Sequence, residues 1–451
     1  MQDNHKTMGE IMVDKLGRSL MRSLVSWKDS PSRQPLLLRG ARQTGKTWLV
    51  TEFGREHYRH VLRIDFMRDD DARGFFSGNL DPRVIVDNLS MYTGVPVNPD
   101  DTLIFFDEIQ ECPRALTALK YFREDANEYH VVATGSYMGV SKHSDASFPV
   151  GKVTMLTLHP LTFLEFLDNA GEAGLARGIA QGKFADISEV FANRLTARLK
   201  EYLFTGGMPA AVLARLNGAD GESVRDIQRG ILDAYDLDFS KHAPARLLDR
   251  LRLVWQTMPA QLAKENRKFV YGVVRPGARA RDFEESLMWL RDYGVVTRVP
   301  CVDALRSPLS AYVDVSAFKL FTSDVGLLGA LANLSPATIV DGNRLFTEFK
   351  GAMTEQYVCQ QLVAQGYAPT YWANPKGHAE IDFAIEVDGV VRAIEVKAEQ
   401  NLHAKSLRYA HDHFTLERAL RLSLSGYREE DWLVNVPLWA AGGLSAYLRN
   451  R

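Results

Sequence analysis

Residues 36–47 read LLLRGARQTGKT, and this stretch decides the fold of the N-terminal part of the chain. A short apolar run is followed by the pattern G-x-x-x-x-G-K-T, and an apolar helical segment, TWLVTEF, follows at once. A buried strand that passes through such a loop into a helix turns backbone N–H groups and the positive end of the helix dipole toward an anion. The stretch therefore predicts a phosphate-binding loop.

The loop predicts ATP as the ligand and Mg²⁺ as its counter-ion. Lys46 is expected to reach the β- and γ-phosphates, and the hydroxyl of Thr47 is expected to bind Mg²⁺. The predicted nucleotide-binding residues are Gly40, Ala41, Arg42, Gln43, Thr44, Gly45, Lys46 and Thr47, together with Ser136 from a later strand.

Two further apolar runs end in polar residues. TLIFFDE (102–108) ends in Asp107 and Glu108, and HVVATGS (130–136) ends in Thr134 and Ser136. Carboxylates at the end of a buried strand are costly unless they meet a cation or water. We therefore predict Asp107 as the second Mg²⁺ ligand and Glu108 as the residue that orients or activates the attacking water. At the end of the second run, Thr134 or Ser136 could sense the γ-phosphate or position water. A plain turn after a buried strand explains these residues equally well.

Short apolar segments separated by helical ones predict an α/β fold with a parallel sheet covered on both faces. The chain divides by pattern into an ATPase segment (1–165), a mostly helical segment (166–340) and a small α/β segment (341–451). In the middle segment, a helix, a stop at Gly294 and two strands follow one another, which suggests a winged helix.

The middle segment also carries a local excess of positive charge. Residues 241–281 contain ten basic and two acidic residues in a chain whose formal net charge is -2. The basic residues are Lys241, Arg246, Arg250, Arg252, Lys264, Arg267, Lys268, Arg275, Arg279 and Arg281, and the acidic ones are Asp249 and Glu265. Such a patch is typical of binding to the DNA backbone. A solvated face, or a surface that docks on acidic parts of the same chain, would have the same composition.

The C-terminal segment contains a predicted hairpin, EIDFAIEVDGVVRAIEVKA (380–398), with Asp388-Gly389 as its turn. A two-residue turn places Asp382 opposite Glu395, with Lys397 on the same face. Ile381, Phe383 and Ile385 are then expected on the opposite, core face with Ile394 and Val396. Two carboxylates opposite one another repel, and a divalent cation between them would remove the repulsion.

The pattern Asp382…Glu395-Val396-Lys397 resembles the core of PD-(D/E)XK nucleases, and Glu355 matches the acidic residue on that family's preceding helix. The resemblance implies Mg²⁺-dependent cleavage of phosphodiesters. Glu355, Asp382, Glu395 and Lys397 would be catalytic, and Asp382 and Glu395 would bind the metal. A nuclease-derived domain that no longer cuts is the alternative.

Several motifs together resemble a family of prokaryotic AAA-type ATPases. They are RGARQTGKT, FFDEIQECP, ATGSYMG, HPLTFLEFL and GGMPAAV. The resemblance covers nearly the whole chain. It implies an ATPase core, a helical and winged-helix middle and a C-terminal domain of unknown function.

Composition limits the compartment and the partners. The chain has three widely spaced cysteines and no apolar run of membrane length, and residues 1–18 lack the apolar core of a secretion signal. We expect a cytoplasmic protein that crosses no membrane, and the sequence leaves its oligomeric state open.

The sequence leaves two functions open. One is an ATP-driven enzyme that cuts nucleic acid. The other is an ATP-operated switch or defence-type regulator whose C-terminal domain only binds DNA or a protein partner.

Overall fold

A computed structural model describes residues 13–136, 149–264, 268–335, 346–374, 377, 379–398 and 404–450. The predictions for Arg267 and Glu265, and for the end of the ATGSYMG motif at 137–139, lie outside the described residues.

Helices and strands are interspersed up to β5 (Thr154–Thr157) and again from β6 (Val296–Val302) onward, and the described elements between these two strands are all helices. The strands are β1 Leu36–Arg39, β2 His60–Asp65, β3 Thr102–Asp107, β4 His130–Gly135, β5 Thr154–Thr157, β6 Val296–Val302, β7 Val313–Thr322, β8 Thr370–Ala373, β9 Glu380–Val387, β10 Val390–Lys397, β11 Ala419–Ser423, β12 Arg428–Glu429 and β13 Leu433–Pro437. The helices of the first half are α1 Leu20–Lys28, α2 Lys46–His57, α3 Asp70–Gly74, α4 Pro82–Thr93, α5 Pro113–Asp125, α6 Phe163–Leu167, α7 Ala173–Ala180, α8 Glu189–Thr205, α9 Pro209–Leu216 and α10 Gly221–His242. Those of the second half are α11 Ala245–Leu262, α12 Tyr271–Val274, α13 Ala280–Tyr293, α14 Val325–Leu331, α15 Phe346–Ala364, α16 Lys405–Phe414 and α17 Leu444–Arg449.

The first five strands form one parallel sheet in the order β2-β3-β4-β1-β5. Strands β3 and β4 are buried along their whole length, as the apolar runs predicted, because helices cover both faces of the sheet. In this order the carboxyl ends of β3, β4 and β1 are neighbours. The α/β fold with a parallel sheet, predicted from the sequence, is confirmed, and the residues that end these three strands meet at one edge.

The remaining strands form a second, mixed sheet in the order β12-β13-β11-β10-β9-β8-β6-β7. Strand β6 joins β8 in parallel through the pairs Cys301–Tyr371 and Val302–Trp372. The antiparallel ribbon β6–β7 of the middle segment is therefore part of the C-terminal sheet. Its connecting loop also contacts β9, since Ser307 Oγ and Leu309 N donate to the carboxylate of Glu386.

The β9–β10 hairpin has the predicted register, with Val387 opposite Val390 and Phe383 opposite Ile394. Its turn residues Asp388 and Gly389 both have positive φ, 50° and 82°, as a type I′ turn requires.

The predicted face of Ile381 is wrong. Phe383 and Ile385 pack in one core cluster, whereas Ile381 packs in another with Trp372 and Ala384. The ladder between β8 and β9 shifts register next to this position, and such an irregularity interrupts the alternation of side chains. Both faces of the hairpin therefore carry buried apolar residues.

The GGMPAAV motif joins α8 to α9 where three parts of the chain meet. A Cβ on Gly207 would lie 2.0 Å from the carbonyl oxygen of Leu161. Leu161 N donates to Gly207 O, and Gly207 N donates to the buried carboxylate of Asp324. Only glycine fits between these backbones. In the part of the chain described, no helix is both long and apolar enough to cross a membrane.

We predict that Gly207→Ala lowers the free energy of unfolding by about 2–3 kcal/mol, because the added methyl group must displace the backbone of residue 161. Gly174→Ala is the control, since nothing lies within 4 Å of a Cβ there. It should be neutral or stabilise its helix by up to about 1 kcal/mol. Denaturant unfolding measures both, and equal stability of the two variants would contradict this account.

Candidate nucleotide site

The loop between β1 and α2 has the backbone that its glycines predicted. Gly45 has φ 91°, in the left-handed region, and directly precedes the first residue of α2. A Cβ on Gly40 would lie 2.3 Å from the carbonyl oxygen of Leu158, so the start of the loop accepts glycine alone. The loop therefore ends at the N-terminus of a helix of 12 residues, whose first N–H groups lack intrahelical acceptors.

Lys46 is almost fully buried, with 6% of its surface exposed. Its Nζ donates to the carbonyl oxygens of Gly40 and Ala41, each at 2.9 Å. Burial lowers the pKa of Lys46 to about 8, although Glu108 and Asp107 favour its charged form. The ammonium group therefore lies inside the curve of the loop, as expected for a residue that meets phosphate.

Asp107 connects the loop to the two neighbouring strands. Its Oδ1 accepts hydrogen bonds from Thr47 Oγ1 at 3.0 Å and from Thr134 Oγ1, and its Oδ2 accepts from Arg63 Nη2 at 2.7 Å. The carboxylate is 2% exposed. The structure thus brings together Thr47 and Asp107, the two predicted ligands of Mg²⁺, and adds Arg63 from β2, which the sequence analysis missed.

Glu108 follows Asp107 in the left-handed conformation, with φ 52°. Its backbone N–H donates to Thr134 Oγ1, and its carboxylate accepts from Gln110 Nε2. The side chain is half-buried at the same sheet edge as Lys46. Ser136 lies directly after β4 and is buried. The roles predicted for Glu108 and Ser136 stay predictions.

A buried ion pair that the sequence analysis missed supports the loop from behind. Arg18 donates from Nη1 to Thr44 O at 2.9 Å and from Nη2 to His159 O at 2.6 Å, and its Nε lies 3.2 Å from Glu165 Oε1. Glu165 also closes a capping box with Thr162 at the start of α6. The signal in the sequence was the T-x-x-E spacing inside HPLTFLEFL, but nothing there pointed to Arg18.

Arg42 extends from the loop to the middle segment. Its Nη1 lies 2.8 Å from Asp238 Oδ1 on α10, and Tyr235 OH donates to its carbonyl oxygen. The other carboxylate oxygen of Asp238 accepts from Tyr293 OH at the end of α13. The loop is therefore connected to two helices of the middle segment by direct polar contacts.

Two of the predicted C-terminal residues, Glu355 on α15 and Asp382 on β9, lie beside a lysine that the sequence analysis missed. Lys319 on β7 is fully buried, and its Nζ lies 3.7 Å from Glu355 and 3.9 Å from Asp382. The other predicted pair, Glu395 and Lys397, forms its own ion pair at 2.9 Å. A lone lysine inside the apolar run AFKLF (317–321) was the available signal, because a buried ammonium needs acidic partners.

The two predicted Mg²⁺ sites differ in how their residues fit the ion. At the loop, a hydroxyl and a carboxylate lie side by side at the N-terminus of a helix, beside a glycine cradle that a Cβ would fill. At the C-terminal cluster, an ammonium group already lies among the carboxylates. Among the residues that the structure describes, at the loop as well as at the C-terminal cluster, no group of three or more His, Cys, Asp or Glu could hold a metal ion, so the difference lies in the ammonium group. The loop fits Mg²⁺ and the C-terminal cluster does not.

Comparisons of the sequence with protein families match three parts of the chain. Residues 32–167 match a family described as an AAA domain. Residues 196–338 and 350–439 match two domains of unknown function, DUF8612 and DUF4143. No curated protein matches the sequence.

Comparisons of the structure find distant likenesses. A Walker-type ATPase of Pyrococcus abyssi is 14% identical with a TM-score of 0.44, covering 71% of this chain and 96% of that one. The Orc1 protein of Aeropyrum pernix, solved in complex with DNA, is 13% identical with a TM-score of 0.30, covering 70% and 90%. Cdc6p of Pyrobaculum aerophilum is 13% identical with a TM-score of 0.25, covering 74% and 97%. Residues 32–167, the segment that contains this phosphate-binding loop, are therefore similar to the AAA domain family.

Proposed function

We propose that the chain hydrolyses ATP in a Mg²⁺-dependent reaction and uses the cycle to change how its middle segment engages DNA. The observation that carries the first half is the contact between Thr47 and Asp107 beside the buried ammonium of Lys46. These are the groups that phosphoryl transfer to water requires at one place: a phosphate cradle, a cation for the phosphates and a pair of oxygens for the metal.

Each residue has a separate task in this proposal. Lys46 binds the terminal phosphates and stabilises the charge that develops on them. Thr47 and Asp107 would hold Mg²⁺, which neutralises phosphate charge when bound. Glu108 accepts a hydrogen bond from the attacking water and orients it. Arg18 fixes the peptide of Thr44, and thereby the shape of the cradle.

The contact between Arg42 and Asp238 supports transmission to the middle segment. Arg42 belongs to the loop that would close on the phosphates, and Asp238 links it to Tyr293 on α13. A displacement of the loop would therefore change the partners of α10 and α13 directly. This geometry favours a nucleotide-operated switch.

DNA is the second part of the proposal, and the turn before α13 favours it. Helices α12 and α13 are separated by a short turn and followed by the β6–β7 ribbon, the order of a winged helix. Arg275 and Arg279 in that turn are exposed, and neither has an ion-pair partner within the described chain. Elsewhere in the basic segment, Arg246 pairs with Glu285 and Arg252 with Asp236, which removes part of the positive excess.

We expect Lys46→Ala to lose ATP binding and Glu108→Gln to keep binding while phosphate release falls by at least about 100-fold, the usual effect of removing a general base. Glu111→Gln, a neighbouring acid outside the proposed machinery, is the control and should turn over normally. A fluorescent ATP analogue and a phosphate-release assay measure the two steps. Turnover of Glu108→Gln at the wild-type rate would remove Glu108 from the mechanism.

ATP affinity should fall as the pH rises above about 8. The pKa of Lys46 is lowered to about 8 by burial, so above this pH the amine of the free protein is neutral and ATP binding must take up a proton. The affinity is then expected to decrease by up to about tenfold per pH unit, measured by titration between pH 7 and 9.5. Lys46→Arg is the control, because its guanidinium stays charged and its slope should be flatter. A wild-type affinity independent of pH would contradict this account.

Arg275→Ala combined with Arg279→Ala should weaken binding of duplex DNA and reduce the slope of log K against log salt by about 2, one for each lost phosphate contact. The matched control replaces Arg246 and Arg252, which changes the net charge equally but removes arginines that are already paired. It should have a much smaller effect. Absence of salt-dependent DNA binding by the wild type, or equal effects of the two double variants, would refute a DNA surface at this turn.

A further inference from the structure

The buried lysine of β7 is the central feature of the C-terminal cluster. Lys319 Nζ lies 2.5 Å from Glu380 Oε1, closer than it lies to Glu355 or Asp382. It also lies 5.0 Å from the centre of the Tyr371 ring. The side chain has no exposed surface. An ammonium group buried to this degree is stable only with such partners around it.

Asp382 and Glu395 each have a partner for one carboxylate oxygen, and Oε2 of Glu395 is buried with no hydrogen-bond partner among the described residues. Asp382 turns its Oδ2 toward the strand and accepts a hydrogen bond from Val396 N at 2.7 Å. Glu395 directs its Oε1 to Lys397.

We propose that Lys319 takes the place that a divalent cation has in a nuclease-like centre, so that this cluster is a permanent ion-pair centre and does not cut nucleic acid. The sequence analysis assigned a metal between Asp382 and Glu395, and here Lys319 supplies the positive charge beside Asp382 while Lys397 supplies it beside Glu395. The C-terminal domain then acts as a binding or scaffolding domain, independently of whether the P-loop hydrolyses ATP.

The ion pairs of Lys319 also give the cluster a structural role. Lys319 comes from the region that matches one domain family, whereas Glu355, Glu380 and Asp382 come from the region that matches another. The ion pairs therefore fasten β7 to α15 and β9, and they keep the ribbon β6–β7 in the C-terminal sheet.

Metal binding by the nucleotide-free full-length protein tests the proposal first. Titration with Mn²⁺, followed by calorimetry and by electron paramagnetic resonance, should give the same result for the wild type and Asp382→Asn, since any ion bound near Thr47 is common to both. Supercoiled plasmid should stay intact with either protein in Mn²⁺ or Mg²⁺. A bound Mn²⁺, or a nicking activity, that the wild type has and Asp382→Asn lacks would overturn the proposal.

The variant Lys319→Met tests whether a metal ion can bind among the carboxylates once the ammonium group has been removed. Without metal, its melting temperature should be several degrees below that of the wild type, because the carboxylates lose their counter-ion. Mn²⁺ should restore it, and the double variant Lys319→Met/Asp382→Asn should not respond. A folded Lys319→Met protein whose melting temperature ignores Mn²⁺ contradicts the proposal. If this variant does not fold, the comparison of the wild type with Asp382→Asn decides alone.

Discussion

The nucleotide site depends on one buried charge, the carboxylate of Asp107. A carboxylate with 2% exposure at the end of an apolar strand is destabilising unless its oxygens are hydrogen-bonded. The structure satisfies it with Thr47 from the start of α2, Thr134 from β4 and Arg63 from β2. The same bonds that stabilise the buried charge fix the phosphate loop against three strands of the sheet. The contacts that stabilise this carboxylate are therefore also contacts that position the site.

Two arginines continue the network away from the sheet. Arg18 holds the loop from behind and depends on Glu165, which in turn caps α6. Arg42 leaves the loop on the other side and reaches Asp238. Arg18 is thus a buried support for the loop, and Arg42 is a half-buried contact with the helical segment. Through Arg42 the loop reaches α10, and through Asp238 it reaches α13, so the proposed nucleotide signal would take this route.

Local patterns predicted the parts of the structure that local physics determines. The apolar runs gave β1, β3 and β4, the glycines gave the loop, and Asp388-Gly389 gave the hairpin and its register. The sequence did not reveal Arg18 or Lys319, because their partners lie far away in the chain: Arg18 and Glu165 are 147 residues apart. The predicted face of Ile381 was wrong for a related reason. The register shift between β8 and β9 depends on the neighbouring strand, and the alternation of residues along β9 does not reveal it.

The two acidic constellations look alike in the sequence and differ in their surroundings in the structure. The C-terminal carboxylates surround a fully buried ammonium group, whereas Asp107 binds Arg63 through one oxygen and, through the other, a hydroxyl at the N-terminus of a helix. The central claim is that Asp107 and Thr47 hold the Mg²⁺ of a bound ATP. The affinity for a fluorescent ATP analogue, measured with and without Mg²⁺ in wild type and Asp107→Asn, tests this claim most directly. The account predicts that Mg²⁺ tightens binding to the wild type and has little effect on Asp107→Asn. An equal effect of Mg²⁺ on both proteins would contradict it.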